Sequence, residues 1–157
     1  MMFTIQQLHN QVVQPALNSM GAENKELSAF LSLLMMPELS PSQGLFGPFQ
    51  ITSETHHAVW DNYLALDPEK ASCVRGLASQ RRFLETPDLE LNLNWGYAVA
   101  ISASVLEMNT AIAVSALTEQ QLAEIWFQHC VKGNHVNLVK NYYLQRKSEL
   151  NHRTFAA

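Results

Sequence analysis

Glu38-Leu39-Ser40-Pro41-Ser42-Gln43-Gly44-Leu45-Phe46-Gly47-Pro48-Phe49-Gln50-Ile51-Thr52 is the stretch that interrupts an otherwise helical chain. Residues 39–51 carry two prolines and two glycines and read as a loop or short extended turn. The loop opens on one carboxylate, Glu38, at the end of an apolar segment, and closes on the aromatic–polar run Phe49-Gln50-Ile51-Thr52. That placing suits a general acid. Such a group needs a carboxyl half-buried against apolar walls, so that its neutral form survives near neutral pH, beside a groove for a polymeric substrate. Gly44 and Gly47 also suit a plain tight turn with positive φ, a requirement compatible with such a site.

Working outward, nearly every other segment has a helical pattern. Toward the amino terminus, Asn24 is placed to cap a helix whose inward face is Leu27, Phe30, Leu31, Leu34 and Met35, and Pro37 ends it beside Glu38. Before it, Thr4-Ile5-Gln6-Gln7 has the capping-box pattern, and Leu8, Val12 and Leu17 form a face up to the stop at Met20-Gly21. Pro15 inside that run predicts a kink. Toward the carboxyl terminus, helix resumes near Ser53 with Val59, Tyr63 and Leu64 inward, and Pro68 opens a helix carrying Val74, Leu77 and Ala78. One run starts after Thr86-Pro87 and continues through Leu91, Trp95, Ala98, Val99, Ile101, Ala103 and Val105. It is apolar on most sides, as a central buried helix should be. Thr118-Glu119-Gln120-Gln121 is a second capping box, leading to Leu122, Ile125, Trp126 and Phe127. Lys132-Gly133-Asn134 ends that helix, and residues 135–148 form the last one. No repeat or domain boundary interrupts the pattern, so the expectation is an all-α, compact, single domain over residues 1–157.

With 47% hydrophobic and 15% charged residues in 157, the chain has the composition of one folded domain with a single core. A net charge of −4 argues against a nucleic-acid or anionic-membrane surface, and Arg75, Arg81, Arg82, Lys140, Arg146 and Lys147 read as solvated helix faces. Cys73 and Cys130 read as buried thiols, the alternative being one bridge between them. The start, Met1-Met2-Phe3-Thr4-Ile5-Gln6-Gln7, lacks the basic and apolar regions of a signal peptide, and no apolar run approaches the roughly 18 residues that span a bilayer.

Other chemistries find little footing. His56 and His57 point about 100° apart on a helix and do not readily share an ion, and His129 and His135 lack ligand spacing. Cys130 beside His129 does not face it on a helix. No phosphate loop, dinucleotide fingerprint or basic–aromatic interleaving is present, so neither metal nor cofactor is expected. Trp60, Tyr63, Trp95, Trp126 and Phe127 are mostly core, with one or two available to stack on sugar rings.

A helix ending in Glu, followed by Gly-x-x-Gly-x-x-Gln-Ile, resembles the lysozyme-like superfamily, in particular soluble lytic transglycosylases. The similarity is closer to small lysozyme-like proteins of tailed phages. The residues that carry it are Gln50-Ile51-Thr52-Ser53-Glu54-Thr55-His56, Trp60-Asp61-Asn62-Tyr63-Leu64 and Asn94-Trp95-Gly96-Tyr97-Ala98. The opening His9-Asn10-Gln11-Val12-Val13-Gln14-Pro15-Ala16-Leu17 adds to it. The resemblance covers roughly residues 8–145. It implies a lysozyme-like helical fold with a substrate groove, acting on peptidoglycan glycan strands. Glu38 would be the general acid/base at the β-1,4 bond between N-acetylmuramic acid and N-acetylglucosamine. Gln50 would present its amide to the sugar with Thr52 supporting it, and Asn94 and Tyr97 would line the other wall. A transglycosylase can work with one carboxylate because the substrate's acetamido group stabilises the developing cation. A hydrolase needs a second at about 5–9.5 Å, and Glu54 and Asp61 are the nearest in sequence. Made in the cytoplasm without a signal peptide, such a protein would reach the wall after lysis, by virion delivery or through dedicated export.

The chain also departs from that pattern. Leu39 stands where the family commonly has Ser, Pro37 precedes the acid, and the loop from Glu38 to Gln50 is shorter than usual. The late Tyr-Asn element has no clear counterpart in Trp126-Phe127-Gln128-His129-Cys130-Val131-Lys132-Gly133. These departures support an alternative: a degenerate lysozyme-like scaffold serving as a structural or glycan-binding component of a virion or secretion machine. A chitinase-like amino-sugar glycosidase is a third option, since a Gly-Pro-x-Gln-Ile type of turn also occurs near some chitinase sites.

Overall fold

The computed structural model describes residues 3–37, 44–131 and 136–150. Among these the chain is helical, and its sole extended pairing is an isolated antiparallel bridge between Phe46 and Ile51. The opening capping box forms, with Thr4 and Gln7 each accepting from the other's backbone N–H at 3.0 Å. The irregularity predicted at Pro15 takes the form of a π-turn, His9–Val13, between α1 (Ile5–Leu8) and α2 (Gln14–Ser19). Proline has no N–H and its ring presses on the carbonyl four residues back. The wider turn, closed by Gln14 N–H on the His9 carbonyl, makes the room. Gly21, at φ 67°, supplies the left-handed residue that stops the helix.

α3 (Lys25–Leu34) starts where expected, with Asn24 Oδ1 accepting from Glu26 N at 2.8 Å and Leu27 N at 3.1 Å. All five residues of its predicted inward face are buried, and so are Ser28, Ser32 and Leu33. α3 is therefore covered nearly all round, packed against the helices over Trp95–Met108, Glu119–Ile125 and Val136–Leu150 and against the first π-turn. α4 (Ser53–Asn62) is capped by Thr52, and α5 (Pro68–Leu77) begins on Pro68 under an Asp67 cap.

The long apolar run divides. α7 (Pro87–Leu93) and α8 (Trp95–Met108) are separate helices because Asn94 leaves the helical conformation and caps α8, its Oδ1 accepting from Tyr97 N at 3.0 Å. Asparagine's short amide competes with the backbone ladder for just such a position. Residues Tyr97 to Leu106 of α8 are buried without exception, so the expected central helix is there, starting about two turns later than expected. α6 (Gln80–Glu85) is an additional short helix that the apolar periodicity did not mark. α9 (Glu119–Ile125) carries the second capping box and runs into a π-turn, Trp126–Cys130, and α10 (Val136–Leu150) follows. The predicted Lys132-Gly133-Asn134 stop lies outside the described residues.

Two expectations about charged and sulfur groups change. Arg146, read as part of a solvated face, is buried, and Arg82 pairs with a fully buried carboxylate, Glu90, at 3.1 Å. Both cysteines are free thiols. Cys130 is buried, which pushes its thiol up to about 12, whereas Cys73 is only half-buried. Among the described residues no helix is long and apolar enough to cross a membrane.

Candidate functional site

The glutamine turn is tightly built. Phe46 and Ile51 exchange both backbone hydrogen bonds, at 2.8 and 3.0 Å, across Gly47-Pro48-Phe49-Gln50. Gly47 sits at φ 76° and Gln50 at φ 56°, and Gln50 alone among the described non-glycine residues is in the left-handed region. That conformation costs an L-residue about 1–2 kcal/mol. Gln50 is 7% exposed, its backbone N–H and its Nε2 both donating to the Gly47 carbonyl, at 3.1 and 2.9 Å.

The turn is seated on α7. Gly47 N donates to Asn92 Oδ1 at 2.6 Å, and a Cβ on Gly47 would stand 2.5 Å from the Leu91 carbonyl oxygen. The α3 side joins the same place, with Met36 N donating to the Pro48 carbonyl at 2.8 Å. Arg146 of α10 secures the end of α3: its Nη1 donates to the carbonyls of Leu33 at 2.8 Å and Met35 at 2.5 Å, which the helix leaves unpaired. Met36, Pro37, Gly47, Gln50, Asn92 and Trp95 surround a small hollow of about 60 Å³. Glu38 itself lies outside the described residues.

Beside the turn runs a polar chain whose centre, His56 and Tyr97, is buried and whose Ser53–Asp88 end is partly exposed. Ser53 Oγ donates to Asp88 Oδ2 at 2.6 Å, and Asp88 Oδ1 lies 2.8 Å from His56 Nδ1. His56 Nε2 is 2.8 Å from Tyr97 Oη, which also accepts from Trp60 Nε1 at 2.9 Å. The partners set the tautomer. His56 Nδ1–H donates to the Asp88 carboxylate, leaving Nε2 to accept from the Tyr97 hydroxyl, so a neutral His56 satisfies every group. Burial, the largest influence, lowers the His56 pKa against the opposing pull of Asp88. Burial would raise the Asp88 pKa, but the hydrogen bonds from Ser53 and His56 outweigh it and lower it. Burial also holds the Tyr97 phenol above its ordinary range.

The expected site residues therefore separate. Gln50 lines the hollow beside the approach to Glu38. Thr52 is spent as the α4 cap, accepting from Thr55 N at 3.1 Å. Asn94, besides capping α8, donates to the Leu77 carbonyl and to Glu90, each at 2.7 Å. Tyr97, expected on a groove wall, is instead fully buried, because its hydroxyl finds His56 and Trp60 in the interior. Glu54 and Asp61 are both exposed.

Three contributors were missed: Asp88, Asn92 and Arg146. Asp88 and Asn92 are four apart on α7, a polar pair on one face that spacing alone could have flagged. Arg146 gave no local sign, since the carbonyls it caps are more than 100 residues away in sequence. Together these groups make an all-α domain with a clamped, strained glutamine turn at the end of a buried helix. Compared with known proteins, the chain matches no family model, no curated protein and no solved structure.

Proposed function

We propose that the protein is a peptidoglycan-cleaving enzyme of the lytic transglycosylase type, with Glu38 as its general acid/base. The observation that carries this reading is Gln50: a buried, non-glycine residue held at φ 56° on the hollow that Met36 and Pro37 also line. Backbone strain persists where surrounding structure over-determines it, and it gathers at sites that need one side chain in one place. Here Met36 to Pro48 joins the glutamine turn to the chain leading into Glu38, and Gly47 to Asn92 fixes the same turn on α7.

In the reaction, the Glu38 carboxyl protonates the glycosidic oxygen as the C1–O bond breaks. The substrate's acetamido group shares the positive charge at C1. The resulting carboxylate then takes the proton of the 6-hydroxyl, whose oxygen closes on C1 to give the 1,6-anhydro sugar and restore the acid. Gln50 would present its amide oxygen to the acetamido N–H, with Asn92 and Trp95 beside it. Thr52, Asn94 and Tyr97 would act indirectly, through the caps and the polar chain that hold the turn.

The test is digestion of purified sacculi by the wild-type protein and by Glu38→Gln. Soluble muropeptides with anhydro ends, lost in the variant, are the expected result. Equal release by both would rule Glu38 out, and reducing ends alone would mean hydrolysis.

The second reading is a glycan-binding or structural scaffold without chemistry. It is favoured by the stretch that stands where the family has its Tyr-Asn pair, since that stretch contains neither Tyr nor Asn and its Trp126 and Cys130 are buried. Retention on sacculi without release of muropeptides would select it.

A further inference from the structure

A second cleft, of about 540 Å³, lies at the other end of α3, bounded by the α2–α3 turn, by Tyr63, Lys70 and Glu107, and by the loop after α8. It shares no lining residue with the glutamine hollow, and the ten residues of α3 separate the two by roughly 15 Å. Its volume falls within the range of about 300–1,000 Å³ typical of small-molecule sites.

The polar part of the cleft is a fused cluster. Lys70 Nζ donates to Tyr63 Oη at 2.6 Å and to Glu107 Oε2 at 2.5 Å, and Tyr63 donates its own hydroxyl proton to the same carboxylate oxygen. Burial opposes the Lys70 charge, but the Glu107 and Tyr63 bonds outweigh it and hold the ammonium above its usual range. An ammonium has three N–H donors and a carboxylate two oxygens, so one Lys70 N–H and Glu107 Oε1 have no partner among the described residues. Lys70 is 38% and Glu107 16% exposed at the side chain, so both can be reached. The cluster thus offers one donor and one acceptor side by side, with its charges already cancelled.

That pairing matches two adjacent ring substituents of a sugar, one accepting from the ammonium and one donating to the carboxylate. The apolar lining, with Met20, Leu27, Val114 and the 59%-exposed Ile112, suits the C–H face of the same ring. Glu23, which also lines the cleft, disfavours an anion there, and the Lys70–Glu107 pair, with its charges cancelled, offers a cation no second unpaired carboxylate. We infer that the cleft at Tyr63, Lys70 and Glu107 is a binding site for a neutral saccharide, separate from the glutamine hollow.

The test is a titration of the isotope-labelled full chain with N,N′-diacetylchitobiose, followed by NMR. Saturable shifts are expected at Lys70, Glu107, Ile112 and Ser115. Lys70→Met and Glu107→Gln should each weaken binding about tenfold, as expected for loss of one charge-assisted hydrogen bond. Ile112→Asp alters only an exposed rim residue and should abolish binding in a protein that folds normally. Shifts confined to Gln50, Asn92 and Trp95, no saturable shift at all, or full affinity in Ile112→Asp would overturn the inference. The site does not rest on the glycan-cleaving proposal. Chitobiose bound here by a protein that leaves sacculi intact would sink that proposal and keep this one.

Discussion

Asp88 and Asn92 stand one helical turn apart on α7, and between them they hold both the helix after the glutamine turn and the turn itself. Asp88 takes His56 of α4 at 2.8 Å, and Asn92 takes the Gly47 amide at 2.6 Å. One face of a seven-residue helix thereby backs the most strained part of the chain.

Acid should weaken the clamp through His56. Its folded pKa lies below the ordinary 6.5, so the native state binds fewer protons than the unfolded chain. The stability due to neutral His56 is complete above about 6.5 and is lost as pH falls from there toward the folded pKa. A charged His56 would also turn Nε2 into a donor facing Tyr97, leaving the Tyr97 proton without its acceptor. Asp88 adds a second loss lower down, beginning near its ordinary 3.8, because its folded pKa is depressed. Urea unfolding across pH should show stability falling below 6.5, with a flatter profile in His56→Gln. Identical profiles would remove His56 as the cause.

The two turn glycines should differ sharply. Gly44, at φ 78°, has open space where a Cβ would go, so Gly44→Ala should cost only the left-handed penalty, about 1–2 kcal/mol. Gly47→Ala adds a collision with the Leu91 backbone at 2.5 Å and should cost roughly 3 kcal/mol or more. Chemical denaturation of both variants measures the difference, and equal costs would mean that α7 yields readily.

Replacing Gln50 separates stability from function. Gln50→Gly relieves the positive-φ strain, roughly 1 kcal/mol, while losing one side-chain hydrogen bond of similar worth. Stability should therefore stay within about 1 kcal/mol of wild type, while muropeptide release falls at least tenfold. Unchanged release from a stable Gln50→Gly protein would remove Gln50 from the site.

Arg146 should matter far more than an ordinary helix arginine. Arg146→Met removes both hydrogen bonds to the end of α3 and leaves the Leu33 and Met35 carbonyls without them, at a cost of roughly 2–4 kcal/mol. Lys147, on the neighbouring position, holds Glu119 at 3.0 Å while a third exposed, and Lys147→Met should cost less than about 1 kcal/mol. Thermal unfolding of the pair reads the contrast directly, and a small effect at Arg146 would mean that α3 needs no such cap.

What could be read from the chain was local. Thr4, Asn24 and Thr118 announced helix starts because a cap and the amides it satisfies are two or three residues apart. The inward face of α3 and the buried α8 followed from apolar spacing along a single helix. Asn94 shows the limit of that signal. Inside an apolar run it looked continuous with its neighbours, yet its amide captured Tyr97 N and divided the helix.

The sequence by itself determined an all-α fold, most of its helix boundaries and the glycine–proline turn that carries Gln50. Tertiary structure alone decided that Tyr97 and Asn94 brace the interior, that Arg146 is buried, and that Asp88, His56 and Asn92 work together. Apart from Asn94, whose partners Leu77 and Glu90 are 17 and 4 residues away, those partners lie 32 to 113 residues apart, and a hydrogen bond reaches about 3 Å. Only the packing of α4, α7, α8 and α10 brings them within that reach, and no local pattern records where distant helices will meet.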